Sequence, residues 1–180
     1  SSLRVTPQMK RVVATYAFYW SLGTLAQLTA LAYGTYVLKL AKTDATPLLG
    51  MLAVGAGVGS IAAGVWSAGI IELGLVPVGG LIFSLSSTAL FFTTKSYSSP
   101  MTALFGIGFV GGLVNVPLYS YLQYRSPPEK RGSVLAANNL VVFIGMLLAT
   151  AAYYLLAAPD VFETRRPLTS PRGVFLFIGL

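Results

Sequence analysis

With 55% hydrophobic and only 9% charged side chains, this chain of 180 residues is too apolar for an ordinary soluble domain, which carries about 25% charge. Its net charge of +7 is spread over short connections with no basic tract, which argues against a nucleic-acid partner. The sequence has neither Cys nor His, so disulfides, a thiol nucleophile and the usual zinc ligands are excluded, and no metal or cofactor is expected.

Ser1–Arg11 is polar and basic and reads as a cytoplasmic linker. The run behind it is too long for the apolar core of a signal peptide and lacks a small-residue cleavage pattern. Five stretches then follow without a single charge: Val12–Leu38, Ala45–Ile71, Leu73–Thr94, Ser96–Tyr124 and Gly132–Pro159, with a sixth opening at Gly173. A helix of roughly 20 apolar residues crosses a bilayer, and each of the five is long enough. Barrel strands are short and alternating, and these runs are neither. The fold class is therefore an all-α polytopic bundle occupying residues 12–180. Helices are predicted at about 12–38, 46–71, 73–94, 100–124 and 127–158, with the start of a sixth at 173–180. The chain begins without Met and stops inside an apolar run, so it is expected to be an interior piece of a larger membrane protein.

The connections are short, which predicts that consecutive helices are antiparallel neighbours. Pro47 and Pro100 are expected in opening turns, where a missing N–H costs nothing. Ser126-Pro127-Pro128-Glu129 has the form of a capping box for the fifth helix. Orientation is balanced. If the N-terminus is cytoplasmic, Arg4, Lys10, Arg11, Arg125, Lys130 and Arg131 lie inside, against Lys39, Lys42, Lys95, Arg165, Arg166 and Arg172 outside. Discounting the longer last loop tilts the count towards that orientation. Glycine gathers in the second helix, with small-xxx-small pairs at Gly55/Gly59 and Ser60/Gly64, and in the fourth at Gly106, Gly108, Gly111 and Gly112 ahead of Pro117. The simplest role for these glycines is close helix packing.

No carboxylate lies deep in a span: Asp44, Glu72, Glu129, Asp160 and Glu163 all stand in connections or at helix ends. Proton relays place ionisable groups at membrane depth, so proton coupling through this segment is disfavoured. A hydrolase or transferase site is disfavoured as well, for want of a His base or a close carboxylate pair. The polar groups inside the spans are Gln27, Asn115, Asn138 and Asn139, supported by Tyr16, Tyr19, Tyr119 and Tyr121. Each amide either locks two helices by a hydrogen bond or lines a substrate path. Adjacent helical residues point about 100° apart, so one of Asn138 and Asn139 is expected to face a cavity while the other meets a neighbouring helix. Trp20 and Trp66 read as interface anchors. Arg125, Lys130 and Arg131 form either a topogenic cluster drawn to anionic headgroups or a charged gate that docks a lipid phosphate.

Several of these runs resemble the lysophospholipid transporter branch of the major facilitator superfamily. Phe18-Tyr19-Trp20-Ser21-Leu22-Gly23 through Gln27-Leu28 is similar to its seventh helix. Ser67–Gly79, with Glu72, Gly74 and Pro77, resembles its loop between helices 8 and 9. Asn115-Val116-Pro117-Leu118-Tyr119, followed by Arg125–Arg131 and Gly132–Asn139, looks like helix 10, the next loop and helix 11. The resemblance covers nearly the whole chain as helices 7 to 11 plus the start of 12, the C-terminal half of the fold. It implies lysophospholipid transport across a bacterial inner membrane. Gln27, Asn115, Tyr119, Asn138 and Asn139 would contact substrate, and Glu72, Arg125, Lys130 and Arg131 would act at the gate or headgroup. Membrane lipid, the lysolipid and a separate N-terminal helix bundle of the same protein would be the partners. The same domain also occurs fused to an acyltransferase, and a membrane scaffold without transport is the remaining alternative. Two departures stand out: only Glu72 is charged between helices 8 and 9, and Ser133 stands where this family often carries a basic residue.

Overall fold

Lipid offers no hydrogen-bond partner to the backbone, so an uncharged run inside it must satisfy its own N–H and C=O groups. The computed structural model describes residues 6–67, 71–92, 98–157 and 170–180, and every regular element among them is helical. Helix α1 runs Pro7–Ala32 and ends in a π-helical turn, Tyr33–Val37. It is followed by α2 (Lys42–Ser67), α3 (Leu75–Phe92), α4 (Ser98–Arg125), α5 (Arg131–Leu156) and α6 (Pro171–Gly179). Four segments, Thr43–Ser67, Leu75–Phe92, Ser98–Arg125 and Pro128–Leu155, are long and apolar enough to cross a membrane. At 26 residues α1 matches α2 in length but is more polar, carrying Tyr16, Tyr19, Ser21, Thr24 and Gln27. The all-α membrane bundle expected from the sequence is the observed class.

Helix ends differ from the charge-free runs in instructive ways. Thr6 caps α1, its hydroxyl accepting from the Met9 N–H at 3.4 Å, with Pro7 at the first helical position. Lys10 and Arg11 therefore ride on the opening turns of α1 and are not part of a linker reaching residue 11. Because α2 opens at Lys42, Pro47 lies inside the helix, past the turn where its missing N–H would be free. The capping box does not form. The Ser126 hydroxyl instead donates to the Leu122 carbonyl at 2.5 Å, finishing α4. A 3-10 turn, Pro128–Lys130, then leads into α5, whose N-cap Lys130 gives no side-chain cap. Arg4, Lys95, Asp160, Glu163, Arg165 and Arg166 lie outside the described residues.

Sequence neighbours are not the main spatial neighbours. Helix α4 is the hub, packing most extensively on α2 and also on α3 and α1, while α1 pairs with α5 and α3 with α6. By contrast α2 and α3 scarcely touch, and α4 meets α5 only briefly. The expectation drawn from short connections holds for α3 and α4 and fails for α2–α3 and α4–α5, and surface shape gives the reason: α2 and α4 carry matching small faces. A Cβ on Gly55 or Gly59 would strike the α4 backbone at Phe105 and Phe109, and one on Gly108 or Gly112 would strike the α2 backbone at Leu52 and Ala56. The glycine pair Gly55/Gly59 is thus a packing seam. The other proposed pair is not one, since Ser60 meets Gly112 while Gly64 faces open space.

The buried side of α4 supplies the centre of the core through Leu104, Val110, Val114, Leu118 and Leu122. Helix α6 closes one flank, where Phe175 meets Tyr33 edge-on at 6.1 Å and the Ser84 hydroxyl donates to the Gly179 carbonyl. The Tyr121 hydroxyl donates to Gln8 Oε1 at 3.3 Å, which sets the start of α1 beside the end of α4. That end of the bundle also carries Lys10, Arg11, Glu72, Lys130 and Arg131, while Lys39, Lys42 and Asp44 stand at the opposite end.

Candidate functional site

Between α1, α2 and α4 the packing opens into a cavity of about 400 Å³. That is within the range of small-molecule sites, roughly 300–1,000 Å³. Glycine helps create the space: Gly23 of α1 and Gly111 of α4 line it, and a Cβ on either would meet no atom within 4 Å. Phe83 of α3 and Met146 of α5 complete the wall.

The polar groups facing this space carry no charge. Gln27 and Asn115 both line it, so two of the amides singled out in the sequence border the same space from α1 and α4. Asn115 is half-buried, and its Oδ1 is fully buried without a hydrogen-bond partner among the described residues. One helical turn further along α4, Tyr119 packs against Tyr16, their ring centroids 6.1 Å apart at 30°. Tyr16 lines the cavity while Tyr119 stands behind it. Trp20 also lines the cavity, 6.3 Å from the Tyr16 ring, which differs from a role as an interface anchor.

Hydroxyl groups complete the lining, and their hydrogen bonds limit what they offer. Thr24 donates to the Trp20 carbonyl at 2.9 Å and Ser60 to the Ala56 carbonyl at 2.8 Å. Their protons are used within their own helices, so each presents an oxygen acceptor to the cavity. Tyr19 donates to the Val76 carbonyl at 3.0 Å, tying α1 to the first turn of α3. Sequence reasoning passed over Thr24 and Ser60 because isolated hydroxyls are ordinary in membrane helices. Spacing was the available signal: Tyr16, Tyr19, Trp20, Gly23, Thr24 and Gln27 fall on one face at helical intervals.

Asn138 and Asn139 are not among the lining residues. Asn138 is buried to 1% exposure on α5, and neither its Oδ1 nor its Nδ2 has a partner among the described residues. It lies two turns before Gly145, whose backbone packs against Ser21 and Ala17 of α1. Asn139 is exposed on the outer side of α5, beside the exposed Leu140 and Phe143.

The charged residues singled out in the sequence collect away from the cavity. At the N-terminal end of α1, an open groove of about 780 Å³ is lined by Arg125 and Tyr121 of α4, Arg131 of α5, and Ile71 and Leu73 ahead of α3. Lys130 and Glu72 are exposed nearby and do not line it.

The chain matches the family model of the Major Facilitator Superfamily over residues 1–150. A search of curated proteins gives no match. Membrane-length helices, a half-open cavity between them and a family match spanning most of the sequence lead to one conclusion: this chain belongs to the major facilitator superfamily and is a multi-pass membrane protein of the transporter type.

Proposed function

We propose that this chain is the C-terminal half of a transporter that moves lysophospholipid across a bacterial inner membrane. The two halves would rock about a site at their interface, giving access from each side in turn. The observation that carries this reading is the chemistry of the cavity: apolar walls from Leu49, Leu52, Ile107 and Leu118 interrupted by uncharged amides, phenols and hydroxyls. An amphiphile offers both surfaces, an acyl chain for the walls and ester and hydroxyl groups for Gln27 and Asn115. An ion or proton site would call for a carboxylate at membrane depth, and among the described residues none lines the cavity.

The remaining roles follow from this reading. Tyr119 supports Tyr16 behind the cavity wall. Asn139, exposed on α5, would meet the substrate or the N-terminal bundle from the far side, while Asn138 holds an internal position. Glu72, Arg125, Lys130 and Arg131 would form the charged rim through which a phosphate-bearing molecule enters. The exposed apolar side chains of α2 and α5, among them Ile61, Val65, Phe143 and Leu147, suit contact with lipid and with the N-terminal bundle.

The test is uptake by vesicles containing the full-length protein, with labelled lysophospholipid, a sugar and a cationic drug offered in parallel. Saturable lysolipid uptake above protein-free vesicles is expected. Uptake of the sugar or the drug without lysolipid would overturn the substrate assignment.

A further inference from the structure

The groove at the basic end of the bundle shares no lining residue with the cavity, and its two arginines belong to the proposed entry rim, a reading that this inference deepens. Its walls bring together three segments distant in sequence: the residues ahead of α3, the last turns of α4 and the first residue of α5. Two guanidinium groups, from Arg125 and Arg131, line it, with Ser120, Tyr121, Gln123 and Tyr124 as further hydrogen-bonding groups. Among the described residues no carboxylate lines the groove, and Glu72 is exposed between the two wall residues Ile71 and Leu73.

Arg125 is exposed and lies one helical turn beyond Tyr121 on α4. Its guanidinium carbon lies 5.9 Å from the centroid of the Tyr121 ring, within cation–π range. Tyr121 is itself tied to Gln8 of α1. A guanidinium steadied in this way keeps its planar fork of donors free for a ligand. Arg131 opens α5, a helix of 26 residues without a side-chain cap, so the positive end of its dipole also points towards this end of the bundle.

We infer that this groove binds a phosphate ester, its oxygens taken by Arg125 and Arg131. A guanidinium matches phosphate geometry through two parallel N–H···O bonds, and two of the lining residues carry one. The aliphatic walls at Ile71 and Leu73 and the position at the ends of membrane helices favour the phosphate of a lipid headgroup over a soluble anion. The groove lies beside the cavity and shares no lining residue with it: on α4 the cavity lining ends at Leu118 and the groove lining begins at Ser120.

The experiment uses the purified full-length protein in detergent. Its binding to dioleoyl phosphatidylglycerol, to dioleoylglycerol and to inorganic phosphate is measured by titration and by lipid retention in native mass spectrometry. Phosphatidylglycerol should bind and dioleoylglycerol should not. Arg125→Gln combined with Arg131→Gln should weaken phosphatidylglycerol binding about tenfold beyond Lys10→Gln combined with Arg11→Gln, which removes the same charge from the same end outside the groove. Should the glutamine pair fail to fold, Arg125→Lys with Arg131→Lys keeps the charge, loses the forked geometry and should weaken binding in the same sense. Displacement of the lipid by millimolar inorganic phosphate assigns the groove to a soluble phosphate ester, and resistance to displacement assigns it to lipid. Equal losses in the groove pair and the Lys10/Arg11 pair, or equal binding of dioleoylglycerol, would overturn the inference. Lysolipid uptake is scored separately, so failure of the transport reading leaves this result interpretable.

Discussion

Helix α4 has two faces that use the same residue type for opposite ends. On the face towards α2, Gly108 and Gly112 bring two backbones into contact, with Leu52 and Ala56 in the space where side chains would stand. On the face towards α1, Gly111 meets nothing within 4 Å and helps to open the cavity beside Asn115. Gly108 and Gly112 border the cavity as well, so seam and open site adjoin along α4, and the turn of about 100° between Gly111 and Gly112 decides what an added Cβ would meet. A count of glycines therefore says little about function in such a helix. The partner that each glycine faces decides whether it holds two helices together or makes room for a ligand.

The largest effect is expected where the seam is broken. Gly59→Leu places a side chain against the Phe109 carbonyl, and backbone cannot move aside as a flexible side chain can. Overpacking of this kind costs about 1–3 kcal/mol or more, so the melting temperature of the detergent-solubilised protein should fall by several degrees. Gly57→Leu, two residues away and facing open space, should leave it within about 0.5 kcal/mol of wild type. Equal melting temperatures for the two variants would show that the α2–α4 contact is not tight.

The seam was partly legible in the sequence. Gly55 and Gly59 stood out by spacing alone, but nothing in the sequence pairs them with α4 in preference to α3. That choice depends on a matching small face elsewhere, and the short α2–α3 connection pointed the wrong way. The membrane class was fully legible, because a charge-free run of that length has few other stable fates. The cavity was legible where a polar group is rare, at Gln27 and Asn115. It was not legible at Thr24 and Ser60, whose hydroxyls serve their own helix backbone while also lining the space. Asn138 and Asn139 look alike in sequence and differ in burial, since one turn of 100° takes the chain from the interior to the outer surface.

Asn115, whose buried Oδ1 has no partner among the described residues, and Asn138, where both amide atoms lack one, sharpen the distinction between an open face and a closed one. Asn138 is sealed in protein with both amide atoms unsatisfied, so its desolvation is not offset. Asn138→Val, close in size and apolar, should raise stability by about 1 kcal/mol. The exposed Asn139→Val should change stability by less than about 0.5 kcal/mol. A fall in melting temperature for Asn138→Val would show that the amide has a partner in the membrane. Asn115, beside the cavity, should behave differently. Asn115→Leu is expected to cut lysolipid uptake about tenfold, a loss of roughly 1.4 kcal/mol, with the melting temperature unchanged or higher. Normal uptake in this variant would remove Asn115 from the substrate path.

The smallest effect separates two kinds of lining residue. Tyr19 and Asn115 both face the cavity, yet Tyr19 already donates its proton to the Val76 carbonyl while the Asn115 oxygen has no donor. The Tyr19 hydroxyl thus acts chiefly within the protein, holding α1 against the start of α3. That contact depends on Gly80, where a Cβ would come within 3.3 Å of the same hydroxyl oxygen. Tyr19→Phe deletes the bond and keeps the ring, which should lower stability by about 1 kcal/mol and leave lysolipid uptake per folded molecule close to wild type. Asn115→Leu should give the reverse pattern, so measuring melting temperature and uptake on the same preparations of both variants separates structural from ligand-facing polarity. Lost uptake at unchanged stability in Tyr19→Phe would move this hydroxyl from the scaffold to the substrate path.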